Sequence, residues 1–587
     1  MEVFSKITDE GRFPDEGYRV NDTAKAYCRT ILDVVSAHGV REVVCSPGSR
    51  NTPLLIAAAA RAELRKHVVA DERCAAFMAL GIAAAGRKPV ALVCTSGTAL
   101  LNYAPAVAEA FYQGVPLIVI TADRPSQWID QDDSQTIRQE GAFANFIKRT
   151  YHIESVENPS EEDCWYVNRI VNDAMTEALS RRQGPVHINI SLAPPLGKTI
   201  DIPRAAPRII RLLEAEPMLS NQRMRELTDY AAGKKILLIA GFMPPDNELN
   251  RAVAELASLP NVYVMAETIS NLHLPGRSWN IDTMLSIMDT SDKDSLRPDI
   301  IISIGGALVS RMAKAYLREC TEAENWAVGY FHTTVDCFQS LTLRIEADRS
   351  AFLRRVARLM RRDSRPLRSA YSESWRRMAE KSMVSHSRFL KELPWCEMSA
   401  LETLLNALPA SANLYLSNGT AIRYAQLLMN GMPHACYCNR GVSGIDGCTS
   451  TAVGGAMTYG GLTVLVSGDM SFSYDCGALN IREIPDTMRI AVVKNGGGGI
   501  FRFIASTSAL EQRERYFCAD PEVPVEGLAR AYGWRYLKAS SMTELESALP
   551  AFFSAEAPKS ILEIDCDGIL SAEILKSYMS RNYLRQY

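Results

Sequence analysis

Short apolar runs alternate with alanine-rich and amphipathic stretches along most of the chain. The runs are continuous, which is typical of strands in a parallel sheet that is covered on both faces. In the first part of the chain these runs lie at residues 43–45, 90–94, 117–121 and 186–190. Helical patterns, such as those at residues 54–64 and 74–85, separate them. The pattern predicts a domain of alternating strands and helices over residues 1–200.

The same alternation recurs twice more. Strands are predicted at residues 236–240, 262–265, 300–304 and 326–328, and again at 414–416, 464–466, 490–493 and 561–564. Proline-rich breaks near residues 193–207 and a linker at 363–366 separate the three parts, and residues 366–395 include a linker helix. The sequence therefore predicts an α/β protein of three doubly wound parallel-sheet domains in series, at residues 1–200, 208–365 and 396–587. This architecture does not by itself fix a function.

Composition narrows the class of protein. Hydrophobic residues make up 47% and charged residues 22% of the chain, as in globular proteins, and the net charge of −3 provides no basic surface for nucleic acid. The 14 cysteines include no CxxC pair, which favours free thiols in a reducing cytoplasm over a zinc site. The amino-terminal residues lack the features of a signal peptide, and no apolar run reaches the ~18 residues of a membrane span. We therefore expect a cytoplasmic protein without nucleic-acid or membrane partners.

Residues 464–501 carry the densest candidate chemistry. Two predicted strands end at Asp469 and Asn495, and a helical stretch is predicted between them at residues 478–481. Because the carboxyl ends of parallel strands meet at one edge of a sheet, we expect these two side chains to lie close together. Carboxylate, amide and carbonyl oxygens suit Mg²⁺, and the four glycines after Asn495 allow close approach to a phosphate. The alternative is an ordinary βαβ unit with a helix cap and a glycine-rich loop.

Several arginines follow predicted strands at what would be the ligand-binding edges of the sheets. They are Arg50, Arg124, Arg311, Arg423 and Arg440. Because arginine binds carboxylates bidentately, the set favours a substrate with several carboxylate groups. Ser49 adds a hydroxyl beside the first arginine, and Gln135 adds an uncharged hydrogen-bonding group in the loop at residues 130–139. Taken singly, each arginine is equally well explained as a solvated or helix-capping residue.

Eight segments together resemble a family of thiamine-diphosphate enzymes of menaquinone biosynthesis, the 2-succinyl-5-enolpyruvyl-6-hydroxy-3-cyclohexene-1-carboxylate synthases. In chain order the segments are SPGSRNTPL, ADER, TSGTA, TADRP, DxxxSQTIRQ, NRGVSGIDG, GDMSF and NGGGGIF. They lie mainly in residues 46–140 and 415–501, and the middle part of the chain matches only loosely. The combination of SPGSR with NRGxSGIDG is more specific than the GDxS and NxGG segments, which are similar to the diphosphate-binding motif of thiamine-diphosphate enzymes in general.

The resemblance implies a site for Mg²⁺ or Mn²⁺ and the cofactor diphosphate in the third domain. The implied metal ligands are the Asp469 carboxylate, the Asn495 amide and the Gly497 carbonyl. Ser471, in the GDMSF segment, would also contact the cofactor. Lys494 and Gly496 depart from the asparagine run that is usual in the family.

The resemblance also implies roles for residues of the other segments. Glu72 would hydrogen-bond N1′ of the aminopyrimidine ring, although an acid at a helix N-terminus has a purely structural explanation too. Ile445 would be the apolar wedge that keeps the cofactor bent. The five arginines would hold the substrate carboxylates, and Gln135 would orient a substrate or intermediate.

The implied reaction is a carboligation. The enzyme would decarboxylate 2-oxoglutarate on thiamine diphosphate and add the remaining succinyl-type enamine 1,4 to isochorismate. The family further implies a homodimer or homotetramer whose sites are shared between subunits. Two alternatives stay open: another thiamine-diphosphate enzyme, such as a 2-oxo acid decarboxylase or acetolactate-type synthase, and a non-catalytic scaffold that binds the cofactor.

Overall fold

A computed structural model describes residues 19–274, 280–362, 370–429 and 434–580. They form two compact units. The first contains the described residues up to Glu214 together with Gly441–Tyr459 and Gly477–Ile484, and the second contains the others. The predicted linker at 363–366 and the chain ends at 1–18 and 581–587 lie outside the described residues. Within the described ranges, no helix combines the length and apolarity needed to cross a membrane.

The first unit contains a six-stranded parallel sheet and an antiparallel strand pair, β1 with β8. The strands are β1 (Arg19–Thr23), β2 (Glu42–Cys45), β3 (Arg65–Val68), β4 (Val90–Cys94), β5 (Leu117–Asp123), β6 (Thr150–Glu154), β7 (Val186–Ser191) and β8 (Thr199–Pro203). The helices span Ala26–Ala37, Thr52–Ala59, Glu72–Gly86, Ala99–Gln113, Glu161–Leu179 and Cys448–Tyr459. The strand order is β3-β2-β4-β5-β7-β6. The chain adds β3 on one side of β2 and then crosses to add β4 on the other side, so the topological switch point lies between β2 and β4. The loops after β2, β4 and β5 therefore share the edge where such sheets bind ligands.

The second unit contains two parallel sheets, of which the one earlier in the chain has the order β10-β9-β11-β12-β13. Its strands are β9 (Ile236–Ala240), β10 (Val262–Ala266), β11 (Ile300–Ile304), β12 (Glu324–Val328) and β13 (Leu341–Ile345). The helices span Asn221–Ala231, Asn247–Ala257, Ile281–Ile287, Thr290–Ser295, Arg311–Glu319, Arg349–Arg362 and Tyr371–Lys391. Ile236 and Leu238 pack in one apolar cluster, and Leu237 and Ile239 pack in another. Because neighbouring residues of a strand point to opposite faces, both faces of this sheet are covered.

The last sheet has the order β15-β14-β16-β17-β19-β18, and its topological switch point lies between β14 and β16. Its strands are β14 (Asn413–Leu416), β15 (Cys436–Tyr437), β16 (Thr463–Gly468), β17 (Met488–Lys494), β18 (Arg535–Ala539) and β19 (Ser560–Asp565). The helices span Glu397–Asn406, Thr420–Leu428, Asp469–Tyr474, Ile500–Phe503, Val525–Ala531, Met542–Phe553 and Gly568–Met579. Three parallel sheets with helices packed against them confirm the predicted α/β, doubly wound fold class.

Two predicted helices have different bounds in the structure. Between β16 and β17 the α-helix is Asp469–Tyr474, whereas the predicted stretch at 478–481 overlaps a 3₁₀ turn at Cys476–Asn480. An aspartate in the first helical turn interacts favourably with the helix dipole, so the helix begins directly at the end of the strand. The helix predicted at residues 54–64 ends at Ala59, where the buried Arg61 side chain folds back and satisfies the Ala57 carbonyl of the last turn at 2.5 Å.

Candidate functional site

Asp469 and Asn495 lie together at the carboxyl edge of the last sheet, where β16 and β17 are neighbours. Asp469 Oδ2 accepts the backbone N–H of Asn495 at 3.1 Å and that of Gly497 at 2.9 Å. Its Oδ1 accepts the N–H of Met470 at 2.7 Å. Burial raises the pKa of Asp469, and these three N–H groups act in the opposite direction. The carboxylate after one strand thus fixes the glycine-rich loop after the next.

The side-chain amide of Asn495 is buried and only half satisfied. The residue is 5% exposed, and Nδ2 donates to Glu397 Oε1 at 2.6 Å. Oδ1 is buried with no hydrogen-bond partner among the described residues. Leaving a buried amide oxygen unpaired costs about 1–3 kcal/mol, so such an atom indicates a missing partner such as a cation.

Gly497 supplies a third oxygen to the same loop. Its φ of +94° lies in the left-handed region, and a Cβ at this position would fall 2.1 Å from the Cys518 carbonyl oxygen, so only glycine fits. The Gly497 carbonyl accepts the N–H of Gly499 at 2.6 Å, which leaves one lone pair for a further contact. One carboxylate, one amide and one carbonyl suit Mg²⁺ or Mn²⁺. In the described ranges no group of three His, Cys, Asp or Glu side chains could hold a metal.

Arg502 holds the backbone of this loop by hydrogen bonds, a role that sequence reasoning missed. Its guanidinium is buried and donates to the carbonyls of Asn495 and Gly496, each at 2.8 Å. It also binds Glu514 at 2.7 Å. Burial alone would lower the pKa of Arg502, but Glu514 raises it overall. Lys494, which departs from the asparagine run, lies 3.9 Å from a carboxylate oxygen of Glu563.

Three of the five predicted arginines converge in the second unit. Burial, together with the charges of Arg311 and Arg440, lowers the pKa of Arg423 to about 10. The Nε of Arg423 has no hydrogen-bond partner among the described residues. Arg440 donates to the Asn418 side chain at 2.9 Å and to the Leu308 carbonyl at 3.1 Å. The repulsion among these three guanidinium groups indicates that a bound anion would stabilise this part of the protein.

A buried acid, Glu267, holds the loop that leads into Arg311. Its carboxylate accepts the N–H groups of Val309 and Ser310, each at 2.7 Å. Burial raises the pKa of Glu267 to about 7, and these two hydrogen bonds oppose the rise. Asp282 accepts the Ser310 hydroxyl. The sequence carries no signal for this pair, because acidic residues outside a motif are ordinarily solvated.

The first unit holds the other two arginines. Arg50 is buried and donates to the Leu192 carbonyl at 2.6 Å. Burial lowers the pKa of Arg50, and the nearby charge of Arg124 adds to that effect. Arg124 binds the Asp133 carboxylate at 2.9 Å and the Ser134 carbonyl at 2.6 Å. The two guanidinium groups therefore share one electrostatic environment at the carboxyl edge of the sheet.

Ser49 and Gln135 are exposed side chains at this edge. Gln135 has a φ of +55° and lies against Gly97, where a Cβ would meet its backbone at 3.4 Å. The buried glutamine of this loop is instead Gln139, which accepts the Gly97 N–H at 2.9 Å and donates to Asn189 at 2.8 Å. Sequence reasoning missed Gln139, because glutamines repeat along this loop and none is marked as buried.

Glu72 and Ile445 lie on elements that pack together in the first unit. Glu72 is half-buried at the start of the helix Glu72–Gly86, next to Asp71, whose carboxylate caps that helix. Gly447, two residues after Ile445, packs closely against this helix, because a Cβ there would fall 2.1 Å from the Phe77 ring. The NRGVSGIDG loop is thereby held against the helix that begins at Glu72.

Two glycines allow a close helix crossing behind this loop. A Cβ at Gly81 would fall 2.0 Å from the Thr451 carbonyl oxygen, and one at Gly454 would fall 2.1 Å from that of Met78. The helices Glu72–Gly86 and Cys448–Tyr459 therefore touch backbone to backbone. This contact explains why segments so far apart in the sequence share one unit.

The chain is similar to known proteins over nearly its whole length. Residues 27–142 match the family described as thiamine pyrophosphate enzyme, N-terminal TPP binding domain. A curated 2-succinyl-5-enolpyruvyl-6-hydroxy-3-cyclohexene-1-carboxylate synthase of Porphyromonas gingivalis is 40% identical over 94% of this chain and 96% of its own. The synthases of Flavobacterium johnsoniae and Bacteroides thetaiotaomicron are 36% and 35% identical, over 94% and 93% of this chain and 98% and 97% of theirs.

The chain belongs to the 2-succinyl-5-enolpyruvyl-6-hydroxy-3-cyclohexene-1-carboxylate synthase family. Within each unit, the structure brings together residues that the family resemblance had singled out. In the second unit these are Asp469, Ser471, Asn495 and Gly497, and separately Arg311, Arg423 and Arg440. In the first unit they are Arg50 with Arg124, and the elements that carry Glu72 and Ile445. The roles of these residues in the synthase family stay predictions.

Proposed function

We propose that this chain is a cytoplasmic thiamine-diphosphate-dependent transferase that makes 2-succinyl-5-enolpyruvyl-6-hydroxy-3-cyclohexene-1-carboxylate in menaquinone biosynthesis. Its substrates are 2-oxoglutarate and isochorismate. The first is decarboxylated, and its remaining four carbons are added 1,4 to the second. The support is membership of the synthase family, with long relatives that carry this name, and a match to the thiamine-pyrophosphate-binding domain.

One observation carries the metal and diphosphate part of the proposal. Asn495 Oδ1 is buried and unpartnered within the described residues, next to a carboxylate that is itself buried. A divalent cation bound by Asp469, Asn495 and the Gly497 carbonyl would satisfy that oxygen and neutralise the carboxylate. The residues present therefore fit Mg²⁺ or Mn²⁺, with Ser471 on the adjoining helix contacting the diphosphate.

Thiamine diphosphate, when bound, supplies the electron sink that makes loss of carbon dioxide from a 2-oxo acid possible. Glu72 is the residue we assign to its aminopyrimidine ring. A carboxyl at the N1′ position holds the proton there and so sets the basicity of the neighbouring amino group. Ile445 would supply an apolar surface to the bound cofactor, and the close packing around Gly447 keeps the loop of Ile445 in place.

The arginines bind and orient the two substrates. Both are carboxylic acids, and a guanidinium paired with a carboxylate fixes direction as well as position. The converging group in the second unit and the pair in the first give enough positive charge for several carboxylates. Ser49 and Gln135 add neutral hydrogen bonds at the same sheet edge as Arg50. Holding both substrates in place reduces the entropic barrier to forming the carbon–carbon bond.

We further propose that the domains at residues 1–200 and 396–587 bind the aminopyrimidine and the diphosphate respectively, and that 208–365 is a central domain. The functional unit is a homodimer or homotetramer in which the site is shared between subunits. This assembly rests on the family resemblance alone.

The deciding experiment is a two-substrate assay. Purified protein is incubated with thiamine diphosphate, Mg²⁺, 2-oxoglutarate and isochorismate, and both carbon dioxide and the ligated product are measured. The proposal requires product formation and carbon dioxide release that depend on both substrates. Equal release with 2-oxoglutarate or pyruvate alone would instead indicate a decarboxylase or an acetolactate-type synthase, and no release would indicate a scaffold.

A further inference from the structure

We propose that Glu397 is a positioning residue for the metal site: its carboxylate holds the Asn495 amide so that Oδ1 faces the cation. No motif marks Glu397, which begins the helix Glu397–Asn406 some distance before the diphosphate segments. The inference rests on the proposed function, because it assumes a divalent cation beside Asp469.

The contact is short and enclosed. Glu397 is 2% exposed, and its Oε1 accepts Asn495 Nδ2 at 2.6 Å. Its backbone N–H donates to the Ser571 hydroxyl at 3.1 Å, which ties the start of its helix to the helix Gly568–Met579. Oε2 makes no hydrogen bond of good geometry in the part of the chain that the structure describes, although the Thr420 side chain lies close enough to oppose the rise in the pKa of Glu397 that burial causes. Binding the Asn495 amide is therefore the principal hydrogen bond of this carboxylate.

The chemistry of the pair sets the direction of the amide. Glu397 Oε1 accepts the hydrogen bond of the Asn495 NH₂ group, and a carboxyl oxygen that bears no proton can only accept, so the amide presents its NH₂ group to Glu397. Turning the amide over would bring two acceptor oxygens together in a buried place, where such repulsion is strong. With NH₂ held on the Glu397 side, Oδ1 is directed away from it. The metal ligand is thus oriented before any cation arrives.

The backbone of the same residue is held separately. Arg502 binds the carbonyls of Asn495 and Gly496, while Asp469 binds the N–H of Asn495. These contacts fix the loop but do not determine which way the side-chain amide is turned. Glu397 is the described side chain that makes that choice. A buried carboxylate is costly to keep, so a purely space-filling role would be better served by an apolar residue.

The test uses the full-length protein with Mn²⁺ as the probe, at a fixed concentration of thiamine diphosphate. Ultrafiltration gives the Mn²⁺ bound to the protein, which measures affinity without measuring turnover. Glu397→Gln keeps the shape but adds a donor, so the amide of Asn495 is free to turn over. We expect Mn²⁺ affinity to fall about 10- to 100-fold, the usual effect of losing a partner that orients a metal ligand. Glu402→Gln, half-buried on the same helix, is the matched control and should bind like wild type.

A double variant distinguishes a loss of Asn495 orientation from a general destabilisation of the protein. In Glu397→Gln with Asn495→Asp, the new glutamine can donate to one aspartate oxygen and leave the other for the metal. Mn²⁺ affinity should then recover at least about tenfold over Glu397→Gln alone, a non-additive effect that general destabilisation does not produce. This recovery of Mn²⁺ affinity should not require any change in the melting temperature of the metal-free protein.

The outcomes distinguish this inference from the proposed function. If wild type binds neither Mn²⁺ nor the cofactor, the proposed function fails, and this inference with it. If wild type binds and Glu397→Gln stays within about threefold of it, the positioning role is refuted while the proposed function stands. A double variant that binds no better than Glu397→Gln also refutes it.

Discussion

The carboxylate of Glu109 accepts the backbone N–H of Gly441 at 2.5 Å, across 332 residues of sequence. It accepts the N–H of Val442 at 2.7 Å as well. Glu109 is buried in the helix Ala99–Gln113, which follows the TSGTA segment. A Cβ at Gly441 would fall 2.7 Å from the Glu109 carbonyl oxygen, so glycine is needed for this approach. A single buried acid thus fixes the start of the loop that carries Ile445.

Replacing Glu109 with alanine leaves two backbone N–H groups without an acceptor. We expect the free energy of unfolding to fall by about 1–3 kcal/mol and hydrogen exchange to accelerate in the peptide that contains Gly441 and Val442. Denaturant titration and exchange mass spectrometry measure the two effects. Glu140→Ala, at an exposed position, is the control and should change neither. Unchanged exchange at residues 441–442 would show that the contact does not hold the loop.

Glu72→Gln tests the assignment of the aminopyrimidine partner. Glutamine has nearly the same shape but cannot hold an acidic proton, so we expect kcat to fall roughly 10²–10⁴-fold with little change in melting temperature. The steady-state rate of product formation is the measurement. Asp71→Asn is the neighbouring control, because asparagine also caps helices and turnover should stay near that of wild type. A Glu72→Gln protein that turns over like wild type would contradict the assignment and support a scaffold role.

Arg423→Gln tests the anion site in the second unit. Removing one charge-assisted contact should lower kcat/KM roughly 10- to 100-fold for at least one substrate, while cofactor affinity stays unchanged. Initial rates with each substrate varied in turn show which carboxylate is affected. Arg530 lies in an exposed ion pair with Glu526, so Arg530→Gln should leave both specificity constants intact. Equal losses in the two variants would mean that Arg423 acts through overall charge alone.

Glu267 makes stability depend on pH. Its pKa rises from 4.5 to about 7 on burial, so between these values the folded protein holds a proton that the unfolded chain has released. Stability from this group is therefore greatest at low pH and declines as pH rises through the window, by up to about 1.4 kcal/mol per pH unit.

Glu267→Gln removes that titration. We expect the decline in the free energy of unfolding between about pH 5 and pH 7 to become shallower, whatever the absolute stability of the variant. Denaturant titrations across this range provide the slopes. Glu319→Gln changes an exposed acid and should keep the wild-type slope. Parallel slopes for wild type and Glu267→Gln would show that the group does not titrate in this range.

The strands that the sequence predicted are those that the fold buries on both faces. The strand predicted at residues 90–94 matches β4 fully, and the one predicted at residues 490–493 covers the central part of β17, Met488–Lys494. Of the missed strands, β1 and β8 form a separate pair and β15 has only two residues, whereas β3, β6, β13 and β18 are longer strands at sheet edges. Their polar residues remove the apolar run, as in the Arg-Lys-His-Val of β3. The domain boundaries at residues 200, 208, 365 and 396 stay predictions.

The residues of the candidate site also fall into those that the sequence could predict and those that it could not. Asp469 and Asn495 could be predicted as neighbours because both end strands, and parallel strands end at one edge. Glu109, Gln139, Glu267 and Glu397 could not, because each is buried only through a contact with a loop far away in the sequence. A glutamate within a helix looks solvated until the fold is known. Motifs thus point to candidate groups for chemistry, whereas the side chains that hold these groups become apparent only from the packing of the fold.

Titration of thiamine diphosphate into metal-free protein, with and without Mg²⁺, tests the central claim most directly. If the unpartnered Asn495 oxygen and Asp469 form a cation site for the diphosphate, calorimetry should show one cofactor bound per chain with Mg²⁺. Affinity should be at least about tenfold weaker in chelator, and equally weak in Asp469→Asn with Mg²⁺ present. Absence of cofactor binding by wild type with Mg²⁺, or binding that is indifferent to the metal, would contradict the account.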